Sequence, residues 1–550
     1  MIDFMKISLL GWIFFGVSTT VLQAQALQTK WVTSLGGNKY EQSNGIAVAP
    51  CGDVYQVGFF QQQLGNLTTV GTEDGFIAKY NSAGDLIWLK NLGGTSTDRL
   101  SGITIINDNQ IVVSGEIKGT LRYNATDSLV ALDRLDALVL SIDSSGQVQW
   151  AKIGSGLGDD SAVDITHNAN GTICVTGYFE QNLQTDQTII QSFGNRDAFI
   201  WALDTNGQTQ WTKKLGWLGF DEGLALAMDD DYGYITGLYR DQIVVDNDTL
   251  LGKLGADIFV TKFDHRTGQS QWTKTVGGPS SDRVQSVAVD QQGNICITGW
   301  YSANITVQGT TLLDRQEEDA YLIKFDSNGQ LVWAKSLGHE FDERGYEVGF
   351  DPQDNVYLMG TLDSLLIIGG DSLTNRHLNR PADIFIAKFD AQGDYKWSQT
   401  LGHYYNDFCY DMQIIDASTI YITGSFQDTT IFMTDTMISQ FGYDIFVAKF
   451  EMDTLLTIKT LAEAKIVPTL TLFPNPSSIG STLLYELTKT TTVKIVLYDG
   501  AGRPVRQLYD AIQPIGEHEL WIDRKELPNG YYWVQLEIGG TIFVQALLLQ

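Results

Sequence analysis

Seven copies of one unit dominate this chain, and any fold it adopts must accommodate all of them. Tryptophans recur at Trp31, Trp88, Trp150, Trp211, Trp272, Trp333 and Trp397, with gaps of 57, 62, 61, 61, 61 and 64 residues. A second series is an aspartate opening an apolar run: Asp74, Asp136, Asp197, Asp257, Asp319, Asp383 and Asp444. A third is a strand ending in glycine: Gly58, Gly115, Gly177, Gly237, Gly299, Gly360 and Gly424. Self-similarity at a fixed period marks a repeat architecture, in which no unit buries its apolar surface alone.

The stretch from Gly277 to Gly338 shows the unit's anatomy. Val284 to Asp290 alternates and reads as a strand, Gln291-Gln292-Gly293 as a turn, and Asn294 to Trp300 as a second strand. About twenty residues follow before a third strand, Ala320 to Phe325. Asp326-Ser-Asn-Gly329 is a hairpin turn, its Asp accepting backbone bonds and its Gly supplying positive φ. Leu331 to Leu337, carrying Trp333, is the fourth strand. Four short antiparallel strands make one propeller blade. The expectation is an all-β chain: a seven-bladed β-propeller of four-stranded blades, followed by a small Ig-like β-sandwich. Two segments compete to supply the last blade's fourth strand, Lys30 to Leu35 with Trp31 and Leu455 to Leu461 without a Trp. Trp31-Val-Thr-Ser-Leu-Gly-Gly matches the other copies, so the N-terminal segment is expected to close the ring.

The repeats, with Ser-Val-Ala-Val-Asp290, Gly293-Asn-Ile-Cys-Ile-Thr-Gly299 and Asp319-Ala-Tyr-Leu-Ile-Lys-Phe-Asp326, resemble the bacterial β-propeller repeats called SBBP, over roughly residues 30 to 460. The implied layout is a signal peptide at 1–26, the propeller at 27–460, a linker at 461–467 and a C-terminal domain at 468–550.

Lys plus Arg number 36 against 65 Asp plus Glu, a net charge of −29. Such a surface disfavours nucleic acid and anionic membranes, which recruit basic patches. The hairpin pattern of Asp264 to Gly268 and Trp272 resembles docking motifs of quinoprotein propellers, and the hairpin from Asp143 to Trp150 resembles sialidase Asp boxes. The motif recurs in every unit whereas a cofactor site occurs once, so each Trp is expected to pack against the next blade and no cofactor is expected. An acidic residue precedes each first strand: Glu41, Asp98, Asp160, Asp221, Asp282, Asp342 and Asp407. These read either as a cation or ligand ring at a channel mouth, or as turn caps paired with Arg99, Arg283 or Arg344. Asp229-Asp230-Asp231 lacks the closing Glu of an EF-hand loop and reads as a turn. The connection from Gly360 to Asp383 is the longest of its kind, and its Arg376, His377 and Arg380 make it a candidate ligand loop. No nucleophile elbow, His-Glu-x-x-His or phosphate loop is present, and no catalytic residue or metal ligand stands out.

The chain's ends carry addresses. Lys6, the apolar run Ile7 to Val17 and Ala24-Gln25-Ala26 read as a signal peptide cut after Ala26. No later segment reaches the ~18 apolar residues of a membrane span. Cys174 and Cys296 sit at equivalent places of different repeats and read as small buried hydrophobes. Phe473-Pro474-Asn475-Pro476, Val493 to Tyr498 with Gly502-Arg503, and Leu527-Pro-Asn-Gly530-Tyr531 resemble the type A sorting domain of the type IX secretion system. That resemblance implies passage through the type IX machinery to the outside of the cell, with release or attachment to surface lipopolysaccharide after processing. Asp248-Thr-Leu, Asp371-Ser-Leu and Asp435-Thr-Met resemble O-glycosylation triplets of the same bacteria, and turn chemistry explains them equally well. The leading expectation is a secreted or cell-surface scaffold that binds a protein or glycan. The alternative is a secreted polysaccharide-acting enzyme with its site at the propeller mouth.

Overall fold

The computed structural model describes residues 27–452 and 471–549, apart from 125–126, 187, 340, 370, 376–380, 404, 434, 474, 488–489, 500–502, 526 and 539–540. Two compact units divide at Thr454 and Leu455. Among the described residues every regular element is a β-strand.

The first unit contains seven four-stranded antiparallel sheets, numbered here in chain order. Sheet 5 is typical: Arg283–Val289, Ile295–Tyr301, Asp319–Phe325 and Leu331–Leu337 pair in that order. First strands run Glu41–Val48, Asp98–Asn107, Ser161–His167, Glu222–Met228, Arg283–Val289, Glu343–Phe350 and Asp407–Ile414. Each packs against the next, and the seventh packs back on the first. The result is a closed, propeller-like ring. The third strands of sheets 5 and 6, Asp319–Phe325 and Asp383–Phe389, are buried along their whole length because both their faces meet neighbouring sheets, whereas the longer ones of sheets 4 and 7 are buried mainly in their second halves. Cores form between sheets: Val112 and Val139 of sheet 2 join Ile173 and Trp201 of sheet 3. Each such aliphatic or aromatic side chain contributes about 1.5–3 kcal/mol on burial.

Sheet 7 takes its fourth strand from the other end of the unit. Leu27–Leu35 pairs with Asp435–Met452, from Leu27 opposite Met452 to Leu35 opposite Ile445. The competing segment, Leu455 to Leu461, lies outside the described residues. The repeated tryptophans lock sheet to sheet. Nε1 of Trp31, Trp88, Trp150, Trp211, Trp272 and Trp333 donates to a carbonyl in the next sheet's third-to-fourth hairpin, at 3.0–3.3 Å. Gly329 shows why the hairpin needs glycine: its φ is +74°, and a Cβ there would lie 2.9 Å from the Trp272 ring. Trp397 faces sheet 7, where closure by Leu27–Leu35 leaves no such hairpin, and its buried Nε1 has no hydrogen-bond partner.

The acidic residues before the first strands sit at the sheet junctions, sealed from solvent. Glu41, Asp98, Asp160, Asp221, Asp282 and Asp407 are buried. Sheet 6 departs from the expected assignment: the equivalent residue is Glu343, and Asp342 is partly exposed and paired with Arg344 at 3.0 Å. Counting from the turn explains this, because the carboxylate accepts the amide four residues upstream. Gly278 N–H donates to Asp282 at 2.8 Å, and His339 N–H donates to Glu343 at 2.7 Å. Asp98, Asp221 and Asp407 accept their upstream amide in the same way, and Asp98, Asp160 and Asp221 accept one at the far end of the second strand. Facing each cap is the buried Asp that opens the preceding sheet's third strand. The glycine between them leaves room for both: a Cβ on Gly216 would lie 2.8 Å from Asp197 Oδ1 and from Asp221 Oδ2. Asp229 Oδ1 accepts the amides of Asp231 and Tyr232, so that acidic run is a turn. Cys174, Cys296 and Cys409 are buried and free, and Cys51 is exposed and free.

The second unit contains two antiparallel sheets. Thr471–Phe473, Gly480–Leu487 and Gly516–Asp523 form one; Pro504–Gln513, Thr491–Asp499, Gly530–Ile538 and Thr541–Leu549 form the other. Leu483, Tyr485, Ile495, Leu497, Val534 and Leu547 belong to one shared core. Asn475 fastens the last strand from both sides, donating to the Ala546 carbonyl at 2.7 Å and accepting from the Leu548 amide at 2.9 Å.

Two predictions follow from this packing. Deleting residues 27–37 removes sheet 7's outer strand and the Trp31 lock, and should destabilise the first unit by about 3 kcal/mol or more. Trp31→Ala alone should cost about 2 kcal/mol, less than a fully buried aromatic, because the ring is half-exposed. An unchanged melting temperature after the deletion would place ring closure elsewhere.

The second concerns pH. Burial, reinforced by the facing aspartate, raises the carboxyls of Asp98 to about 6, Asp221 and Asp282 to about 7, Glu41 and Glu343 to about 8, and Asp160 to about 9. Groups raised on folding contribute stability that is fully present below their unfolded values near 4 and is lost as pH rises through the folded values. Melting temperature should therefore fall between pH 6 and pH 9, and Asp160→Asn should flatten the upper part of that fall. A melting temperature that climbs steadily over this range would contradict the assignment.

Candidate functional site

Because the junctions absorb the repeated acids, the axis is lined by other residues. The first strands enclose an axial channel of about 930 Å³. Every first strand carries a register shift near its start, for example between Ala162 and Asp164, Gly345 and Glu347, and Cys409 and Asp411. A bulge re-aims the residue beside it. The residue four positions after each cap stands there: Gly45, Gly102, Asp164, Ala225, Ser286, Glu347 and Asp411. Four are small, and three are carboxylates in sheets 3, 6 and 7.

These carboxylates also stitch sheets together. Asp164 accepts the amide of Ile165 and, from sheet 4, that of Leu226, both at 2.7 Å. Asp411 accepts the amide of Met412 and, across the ring closure, that of Ile46, again at 2.7 Å. Ser286 Oγ donates to Glu347 Oε1 at 2.7 Å. Burial pushes Asp164 up to about 6 and Asp411 to about 7. Glu347 goes well above the carboxylate range through burial, helped by Asp411 and Asp164. Protonated carboxyls in the throat can donate hydrogen bonds as well as accept them.

At the end of the channel where the first strands begin, aromatic rings form an unbroken arc over sheets 5, 6, 7 and 1. Ring centroids are 5.7 Å apart for Trp300 and Tyr346, 6.0 Å for Tyr346 and Tyr410, and 6.3 Å for Tyr410 and Phe408. The arc continues through Tyr443 at 6.0 Å, Tyr40 at 5.8 Å and Phe59 at 6.0 Å. Tyr346 and Tyr410 line the channel itself. All but Phe59 keep part of their surface exposed. Arginines cap both ends, Arg344 5.8 Å from the Trp300 ring and Arg99 5.0 Å from Phe59. Each is bound by two carboxylates: Arg344 by Glu318 and Asp342, Arg99 by Glu73 and Glu116.

The other expected site residues are placed as follows. Arg376, His377 and Arg380 lie outside the described residues, as do Ala26, Pro474 and Gly502. The hairpin before that basic segment, Leu365–Ile368 with Asp371–Thr374, is an ordered two-stranded sheet. In the second unit Asn475 and Pro476 lie between Thr471–Phe473 and Gly480–Leu487, where Asn475 fastens the last strand; Gly530 opens a strand, and Tyr531 is exposed. Among the described residues no group of three or more His, Cys, Asp or Glu could hold a metal ion, and no helix is long and apolar enough to cross a membrane. Sequence reasoning missed the throat carboxylates and the arc. The available signal was departure from the repeat: acids and aromatics at positions where other units carry small or aliphatic residues.

Comparison with known proteins addresses the two units separately. Residues 471–550 match the secretion system C-terminal sorting domain. An uncharacterized WD repeat-containing protein of Acanthamoeba polyphaga mimivirus is 21% identical over 472 residues, covering 70% of this chain and 34% of that protein. The regulatory protein FlaEY of Caulobacter vibrioides is 26% identical over 265 residues, covering 44% of this chain and 27% of that protein. The chain thus spans about a third of the length of these relatives. Among solved structures, a luciferin-regenerating enzyme aligns with 61% of this chain and 88% of its own at 13% identity and a TM-score of 0.30. Regucalcin, a calcium-binding protein from Agrobacterium tumefaciens, aligns with 58% of this chain and 81% of its own at 10% identity and a TM-score of 0.27. The likeness to a WD-repeat protein agrees with the propeller-like ring. The C-terminal match shows that the chain carries a type IX secretion system sorting domain, which directs export to the cell surface or the extracellular space.

Proposed function

We propose that this chain is an exported, seven-bladed β-propeller scaffold that binds its ligand at the aromatic mouth of the channel. In this reading a signal peptide cut after Ala26 takes the chain across the inner membrane, and an Ig-like sorting sandwich at 468–550 takes it through the type IX machinery. Release, or attachment to surface lipopolysaccharide, follows removal of that sandwich. The observation that carries the binding role is the confinement of the aromatic arc to four consecutive sheets of an otherwise repetitive ring. Packing needs repeat in every unit, as the Trp locks do. On the other side the equivalent rings, Tyr178 and Phe220, pack on Arg196, whereas the continuous run of ring against ring answers to something outside the propeller-like ring. Partly exposed aromatics are costly to leave facing water and effective at anchoring ligands.

The second reading, a polysaccharide-acting enzyme, rests on Glu347 and Asp411, two carboxylates with raised proton affinity in the same throat. Glycoside hydrolysis uses such a pair, one held protonated.

A photo-reactive phenylalanine analogue tests the location. Placed at Tyr443 in the secreted protein, it should capture surface material of the producing cells at least several-fold more efficiently than the same analogue at Gln292. That residue is exposed in a first-to-second-strand turn at the other end of the channel. Equal capture at both positions would contradict the assignment of the mouth.

A further inference from the structure

We infer that the mouth takes an uncharged saccharide, a chain end or short oligosaccharide of neutral hexoses. This rests on the reading of the mouth as the binding face and names the class of ligand. Three observations lead to it.

The first is shape. The channel's volume of about 930 Å³ falls within the ~300–1,000 Å³ of small-ligand sites. A protein partner of ordinary affinity instead needs a surface of roughly 800 Å² on each side. The concavity therefore favours a slender ligand inserted end-on.

The second is the chemistry of the walls. Trp300, Tyr346, Tyr410, Phe408, Tyr443 and Tyr40 offer successive ring faces about 6 Å apart. A pyranose has an apolar face of C–H groups that suits an aromatic ring, and a rim of hydroxyls that needs hydrogen-bond partners. Below the rings, Glu347 and Ser286 place a carboxyl and a hydroxyl in the throat. Aromatic faces with a few convergent polar groups are the ordinary composition of a site for such a ligand.

The third is charge. An anionic polysaccharide, sulfated or uronate, requires an unneutralised cation. Arg99 and Arg344, the arginines packed on the arc's end rings, are each bound by two carboxylates, which among the described residues leaves the exposed Arg283, opposite Trp300, and Lys39, beside Tyr40, as the unpaired cations of an otherwise acidic rim. The net charge of −29 adds long-range repulsion of polyanions. A neutral sugar needs no cation and is not repelled.

The test uses the full secreted chain and immobilised heptasaccharides of α-1,4-glucan, β-1,3-glucan and α-1,6-mannan, with alginate and carrageenan fragments as the uronate and sulfated arms. At least one neutral arm should bind and neither anionic arm should. Tyr346→Ala and Tyr410→Ala should each weaken binding at least tenfold, and binding should change tryptophan fluorescence through Trp300. Tyr443→Ala, farther from the throat, is the second variant should the channel-lining changes disturb folding, which the melting temperature reports. Binding only to the anionic arms, binding to none, or neutral binding unchanged in all three folded variants would overturn the inference. Capture of a protein by the analogue at Tyr443 without saccharide binding would overturn the saccharide while leaving the mouth in place. Failure of both would remove the mouth as well. Shortening of a bound heptasaccharide would uphold the saccharide and overturn the binding-only role.

Discussion

The pairing of Leu27–Leu35 with Asp435–Met452 holds the first unit in a ring. Without it the last sheet would have three strands, and the long strand Asp435–Met452 would become its unpaired edge. With it, strands far apart in sequence become neighbours, and separating sheet 7 from sheet 1 requires breaking a complete strand pairing. The Asp411 carboxylate reinforces the same seam from inside the channel by accepting the Ile46 amide. The sheets are otherwise joined by repeated contacts, each Trp on the next hairpin and each carboxylate on the next turn. Trp397 marks the one place where the pattern lapses, and the lapse follows from closing the ring with a strand instead of a hairpin.

The junction carboxylates show how a strongly acidic chain stays folded. Asp98, Asp221, Asp282, Glu343 and Asp407 accept amides that a buried turn would otherwise leave unsatisfied. Burial, reinforced by the facing aspartate, raises the carboxyls of the caps, so the ring gains turn geometry while losing charge. The same acidic repeat that suggested a ligand ring is thereby withdrawn from solvent. The carboxylates left on the axis, in sheets 3, 6 and 7, join Ser286 of sheet 5 in giving the channel a polar throat beneath an aromatic rim.

Much of this was legible in the sequence. The Trp, Asp and Gly series predict the unit, its count and its hairpins, and Trp31 with Leu35 and both glycines predicts the closing strand. What was hidden depends on register. Asp342 and Glu343 are adjacent acids before the same strand, and only the amide four residues upstream distinguishes the cap. The bulge in every first strand decides which residue faces the axis, and no residue type announces it. The arc draws Trp300 from the end of a second strand, Tyr346 and Tyr410 from within first strands, Tyr443 from within the strand Asp435–Met452, and Tyr40 from just before a strand opens. These positions are unrelated along the chain and adjacent only after the ring closes.

The central claim is that the symmetric ring supports one asymmetric mouth and that ligand sits there. Hydrogen–deuterium exchange of the full secreted chain, with and without surface polysaccharide of the bacterium that secretes it, addresses this directly. The account predicts protection confined to peptides covering 40–46, 343–348, 407–413 and 440–444. Protection at the opposite end, in the first-to-second-strand turns at 290–294 and 351–355, would contradict it.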